Sequence, residues 1–185
     1  MTETDLVPGR SCGDCTVCCI VPGIDTNEAQ KDTNAACRNL SGGGCAIYAQ
    51  RPGACRTFHC AWRQLAGLDD DWRPDRSGVL AQTVTIGGRA GLSLMLIADP
   101  LKTVRQDRFV ALVTQTAAIA TPLLLALPGP RGHQSVKAVL SEAELGRAVT
   151  AEQVRQLLRR TVKALQARTP EKLALQNLGN DMSGP

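Results

Sequence analysis

All eight cysteines of this 185-residue chain lie between residues 12 and 60, and no other feature restricts its possible folds as much. The run opens Cys12-Gly-Asp-Cys15-Thr-Val-Cys18-Cys19, passes through Cys37, and closes with Cys45-Ala-Ile-Tyr-Ala-Gln-Arg-Pro-Gly-Ala-Cys55-Arg-Thr-Phe-His-Cys60. Thiols this dense form either a disulfide framework or a metal site, and the compartment decides between them. The N-terminal residues Met-Thr-Glu-Thr-Asp-Leu-Val-Pro-Gly-Arg include acidic residues and no apolar stretch, unlike a secretory signal. A cytoplasmic location is therefore the expectation. In that reducing compartment clustered cysteines are more often metal ligands or redox thiols than disulfides.

The segment that carries the thiols cannot fold by burial alone. From Ser11 to Ala61 it has almost no hydrophobic periodicity, and Pro22, Gly23, Gly42-Gly43-Gly44, Pro52 and Gly53 break it into turns. Apolar burial there is too small to offset conformational entropy, so a staple is required.

Cysteine binds zinc or iron as thiolate, and two cysteines two residues apart can reach one ion from a tight turn. Cys12 and Cys15 have that spacing, and Cys15 and Cys18 repeat it. The same C-x2-C-x2-C run matches the first three ligands of a bacterial iron–sulfur motif, so spacing leaves zinc, iron and a [4Fe-4S] cluster all open. Cys18 and Cys19 are adjacent and should point in different directions, one toward each of two sites. Cys37, Cys45, Cys55 and Cys60 supply the remaining donors, with the partition unassigned. Arg38, Arg51, Arg56 and Arg63 lie beside the cysteines, where cations would balance thiolate charge. His59 is read as a hydrogen-bonded or surface histidine rather than a ligand, and His133 has no assigned role.

These residues resemble the YkgJ-type cysteine-cluster family, a zinc- or iron-chelating domain with a C-x2-C-x2-C-C signature. The likeness rests on Cys12-x2-Cys15-x2-Cys18-Cys19, Cys37, and Cys45-x-Ile47-Tyr48-x2-Arg51-Pro52-x2-Cys55-Arg56-x-Phe58-x-Cys60, about a third of the chain. It implies a chelating domain with eight cysteine ligands. It also implies kinship with flagellin lysine methylases, which carry a related cluster linked to iron–sulfur chemistry, although no methyl-donor motif is recognisable here.

Beyond the cluster an α+β fold is expected. Residues 61–78 read as a short helix ending at Gly67, followed by a polar turn in which Asp69-Asp70-Asp71 is a solvated acidic stretch. Val79–Ile86 and Gly91–Ala98 around Gly87-Gly88 predict a β-hairpin. Lys102–Ala118 has helical periodicity, and residues 121–127 and 134–140 read as short strands. Thr150-Ala-Glu-Gln153 is a capping-box pattern opening an amphipathic helix through Val154, Leu157, Leu158, Val162 and Leu165. Thr169-Pro170-Glu171 predicts a last short helix.

The expected organisation is a flexible lead-in over 1–11, a metal-stapled module over 12–63, a compact α+β remainder over 64–178 that packs with the module, and a disordered tail over 179–185. Aromatics make up only 3% of the chain, so Leu, Val, Ile and Ala must form the core. A net charge of +4 without a basic run calls for no nucleic-acid partner, and the basic helix face of Arg155, Arg159, Arg160 and Lys163 reads as solvated. The uncharged stretch 109–128 is diluted by Thr, Gln and Pro and is not read as membrane-spanning. The sequence thus predicts a metal-binding protein with no evident catalytic constellation. An iron–sulfur redox or methyl-transfer enzyme and a thiol redox switch are the alternatives.

Overall fold

The computed structural model describes residues 6–148 and 150–173. Its frame is a four-stranded sheet. Strand order is easiest to follow once the elements of the cysteine segment are named: α1 (Val17–Ile20), β1 (Ile24–Asp25), β2 (Gln30–Lys31), β3 (Leu40–Ser41), β4 (Gly44–Cys45), α2 (Gly53–Thr57) and α3 (Ala61–Gln64). All are short, and β1–β2 and β3–β4 are two-residue antiparallel ladders. Then follow α4 (Pro74–Ser77), β5 (Val79–Ile86), β6 (Arg89–Leu96), α5 (Pro100–Thr103), α6 (Asp107–Ala118), β7 (Leu123–Leu127), β8 (Val136–Leu140), α7 (Glu142–Arg147) and α8 (Ala151–Gln166). The sheet order is β5-β6-β7-β8.

The expected hairpin is β5–β6, paired from Val79↔Leu96 to Ile86↔Arg89. Gly87 and Gly88 have φ of +56° and +78°, the left-handed pair that a tight two-residue hairpin turn demands. β7 runs parallel to β6, a pairing that needs a crossover, and α5 and α6 supply it. β8 then closes the sheet antiparallel to β7.

One face of the sheet forms the core. Residues such as Ala81, Leu94, Leu96, Leu123 and Leu125 meet Phe109 and Val113 of α6 and Leu158, Val162 and Leu165 of α8. Trp62, Leu68 and Trp72 extend this cluster past β5, with the Trp72 and Phe109 ring centroids 6.4 Å apart. The scarce aromatics thus sit where the cysteine segment meets the sheet.

The helix predicted over 102–118 is two helices. Asp99 caps the first by accepting from the Lys102 N–H, and Pro100 occupies its first turn. The chain breaks before α6 because Gln106 adopts an extended conformation (ψ 134°) that turns the next helix onto the sheet. α8 begins as expected, with the Thr150–Gln153 capping box formed at both ends. A second box, Ser141–Glu144, opens α7; its Ser-x-x-Glu signature was present in the sequence but went unused.

The predicted last helix does not begin at Pro170. The chain is extended there: Gln134 N–H donates to the Glu171 carbonyl (2.7 Å), Leu173 N–H donates to Gly132 (2.8 Å), and Lys172 bridges His133. Pairing with the 132–134 loop satisfies backbone groups that a helix would otherwise have used. The tail predicted over 179–185 lies outside the described residues.

Residues 7–10 of the lead-in are anchored. Val7 N–H donates to the Arg63 carbonyl (2.8 Å), and the Arg10 guanidinium lies over the Trp62 ring and donates to the Trp62, Leu65 and Leu68 carbonyls. The cysteine segment also docks on the loop after β7. Thr33 Oγ1 donates to the His133 carbonyl (2.7 Å), and Asn34 Nδ2 to the Gly129 carbonyl (2.6 Å). Asp69 accepts from the Asp71 N–H, so the acidic stretch is a self-capped turn. Arg155 of the basic helix face pairs with Asp107 at 2.5 Å. Among the described residues no helix is long and apolar enough to cross a membrane.

Candidate metal centre

The eight cysteines are presented by turns whose backbone hydrogen bonds are local. Cys15 N–H donates to the Cys12 carbonyl (2.9 Å), closing the first C-x2-C turn around Gly13, whose φ is +53°. Cys18 and Cys19 sit on the single turn α1, where successive side chains are rotated by about 100°. Their thiols nonetheless stay within hydrogen-bond reach of each other. Cys37 N–H donates to the Cys19 carbonyl (2.9 Å), Cys45 pairs with Leu40 across β3–β4, and Cys55 lies in α2.

None of the eight thiols is in a disulfide, and all are half-buried. They line two spaces that share Cys12, Cys15, Cys18 and Phe58 as wall residues. The smaller, about 20 Å³, is bordered by Cys12, Cys15, Cys18 and Cys60, roofed by Leu80 of β5, and flanked by Trp62, Arg63 and Arg73. The larger, about 900 Å³, is bordered by Cys19, Cys37, Cys45 and Cys55, and Cys12, Cys15 and Cys18 reach its wall from the other side.

Burial raises thiols of both groups, and their charges act across the Cys18–Cys19 boundary as well as within each group. Burial pushes the Cys18 thiol up to about 12, with Cys19, Cys12 and Cys15 adding to the shift. Burial also raises Cys60, partly offset by the Arg63 backbone N–H and reinforced by Cys12. Cys19 is raised by burial, opposed by a hydrogen bond with Cys18, and pushed further by Cys45, Cys37 and Cys55. Cys55 is raised by burial and then by Cys37 and Cys45. Cys12, Cys15, Cys18 and Cys60, which line the smaller space, form an inner set, and Cys19, Cys37, Cys45 and Cys55, which line the larger space alone, an outer set; the two meet at the Cys18–Cys19 peptide.

Cations surround both sets. Arg63 Nη1 lies 3.9 Å from Cys12 Sγ and 3.5 Å from His59 Nδ1. Arg73 bridges Asp14 (2.8 Å), inside the first C-x2-C turn, to Asp75 (2.6 Å) at the start of α4, and so ties that turn to α4. Burial raises Cys15, a backbone N–H from Val17 opposes the shift, and the Asp75 carboxylate adds to it. Around the outer set stand Lys31, Arg38, Arg51 and Arg56. Lys31 is only 8% exposed, and its ammonium donates to the Ile20, Asp32 and Ala35 carbonyls at 2.8–2.9 Å.

The arginines named from the sequence all lie at the cluster, whereas Arg73 and Lys31 were missed. No local pattern marks either residue, because each reaches the thiols through the fold. His59 borders neither space. His133 sits in the docking loop, its Nδ1 2.9 Å from the Arg131 carbonyl.

As the side chains stand, no group of three or more Cys, His, Asp or Glu among the described residues is arranged to hold an ion. The donor chemistry still fits zinc or iron. Each set offers four thiols; Asp25 and Glu28 also line the larger space and Asp75 lies beside Cys15, but thiolates are the softer donors that suit zinc and iron. The inner space exceeds the roughly 10–15 Å³ that a single water needs, so it can house one ion.

No family model, no curated protein and no solved structure matches the chain.

Proposed function

We propose that this is a metal-binding protein whose inner and outer cysteine sets each hold a zinc or iron ion through four thiolates, and that these ions fold the N-terminal segment. One observation carries the reading: eight free thiols line two spaces, Cys12, Cys15, Cys18 and Cys60 at the smaller and all but Cys60 at the larger, enough donors for two four-thiolate sites. The cysteine spacing that resembles the YkgJ-type family supports it from the sequence side. When bound, such an ion supplies a cross-link between segments that have little apolar surface to bury. The chain's own contribution is to hold the thiols on short turns and to balance thiolate charge with Arg63, Arg73 and Lys31.

A [4Fe-4S] reading has one observation in its favour. The space at the outer set, about 900 Å³, is larger than a single ion needs. Purification without air, a visible spectrum, and assays of zinc, iron and sulfide separate the two. Colourless protein with about two zinc per chain supports four-thiolate sites. Brown protein with iron and sulfide would sink the zinc reading. Protein that binds neither metal removes both.

A further inference from the structure

Folded proteins seldom leave a buried hydrogen-bond donor without an acceptor, and a group of them in one place marks where acceptors belong. Among the described residues three buried side-chain nitrogens have no partner: Arg51 Nε, Trp62 Nε1 and Arg63 Nε. All three belong to residues that border the cysteine spaces, Arg51 at the larger and Trp62 and Arg63 at the smaller. None lies on the strands β5–β8 or the helices α4–α8.

An indole N–H and a guanidinium Nε–H can donate but not accept, so each calls for an acceptor. The smaller space offers sulfur, from Cys12, Cys15, Cys18 and Cys60. A neutral thiol is a weak acceptor. The same sulfur bound to a cation as thiolate is negatively charged, and a hydrogen bond to it is correspondingly stronger.

Trp62 is the most firmly held of the three residues. It is 6% exposed, belongs to the hydrophobic core, and has the Arg10 guanidinium 5.2 Å from its ring centroid. Arg63 is engaged through its other nitrogens, with Nη1 3.9 Å from Cys12 Sγ and Nη2 donating to the Arg10 carbonyl at 3.2 Å. Trp62 and Arg63 lie on α3, directly after Cys60, and α3 packs against β5.

Resting on the metal reading, we propose that Trp62 is a positioning residue of the metal site, its indole N–H donating to a thiolate sulfur among Cys12, Cys15, Cys18 and Cys60 in the loaded chain. The bond draws charge from a four-thiolate site of net charge about −2. It also ties occupancy of that site to the core in which the ring is packed. The indole keeps its proton, and the protons released on loading are those of the thiols that become ligands.

The test loads the native chain with NMR-active cadmium, a stand-in for zinc, and follows its two indole N–H signals, from Trp62 and Trp72. The Trp62 indole proton should shift downfield and couple to the metal across the sulfur, while that of Trp72, which borders neither space, should not. Trp62→Phe and Trp72→Phe each remove one signal, so either variant assigns both. Cadmium uptake with an uncoupled Trp62 indole overturns the proposal. Zinc affinity, read by competition with a coloured chelator, should fall about 10-fold in Trp62→Phe and stay unchanged in Trp72→Phe. An unchanged affinity in Trp62→Phe, or an equal fall in both variants, also overturns it, the latter by reducing Trp62 to core packing. A chain that takes up neither zinc nor cadmium instead refutes the metal reading beneath the proposal.

Discussion

At the scale of single residues, the least expected group is Lys31. Its three N–H donors meet three carbonyls on both sides of the loop that sets Cys19 beside Cys37. Burial pulls its pKa down, and the nearby Cys37 and Cys19 thiolates push the other way. Lys31→Met leaves those carbonyls without a donor and should cost about 1–3 kcal/mol. Denaturant unfolding of the metal-loaded chain measures the loss. Glu144, in the capping box of α7 and outside the cysteine segment, provides a pH test. Hydrogen bonds from the Ser141 hydroxyl and then the Ser141 N–H hold its carboxylate below the ordinary 4.5. Stability from this box is therefore present above the unfolded value and disappears as pH falls through the lower folded one. The advantage of the native chain over Glu144→Gln, read from thermal melts at a series of pH values, should be constant near neutrality and shrink in acid. An advantage that grows in acid contradicts the box.

At the scale of elements, α8 and the β5–β6 hairpin hold the sheet side together. Leu158 is fully buried beneath the sheet, and Leu158→Ala should cost about 2–5 kcal/mol, which equilibrium unfolding resolves. Glycines separate positions that are merely turned from those that are also crowded. Gly78 has a φ of +69°, and a Cβ there would lie 2.6 Å from the Ala98 Cβ. Gly87 has a φ of +56° but open space around it. Both alanine variants pay for the left-handed backbone, so Gly78→Ala should lower the melting temperature more than Gly87→Ala. Equal melting temperatures would mean that the Ala98 contact relaxes freely.

At the scale of the whole molecule, two parts with different sources of stability are joined. The sheet and its helices bury a continuous apolar core, while the cysteine segment contributes few buried side chains and docks through Thr33, Asn34 and Arg10. Removing metal should therefore open residues 12–60 to protease and leave 79–166 resistant. Limited trypsin digestion before and after chelation, with mapping of cuts at Arg38, Arg51 and Arg56, reads this directly. Unchanged resistance of the first segment means that metal does not fold it.

The strands, the hairpin and the capped helix α8 were legible because each repeats a local rule: alternation across a pleat, a two-glycine turn, or Thr and Gln three residues apart. The break between α5 and α6 and the extended chain at Pro170 were not legible, since helical spacing continues through the first and a proline start marks the second. In both, contacts with distant segments prevailed over local preference. The sequence by itself determined that eight thiols crowd a segment unable to bury itself, because its prolines and glycines break any hydrophobic periodicity. Only the tertiary structure decided that Cys60 joins Cys12, Cys15 and Cys18 beside Leu80, and that Cys19, Cys37, Cys45 and Cys55 meet those first three thiols at the larger cavity. Thiols tens of residues apart find their neighbours through the packing of the turns between them, and spacing carries no record of that packing.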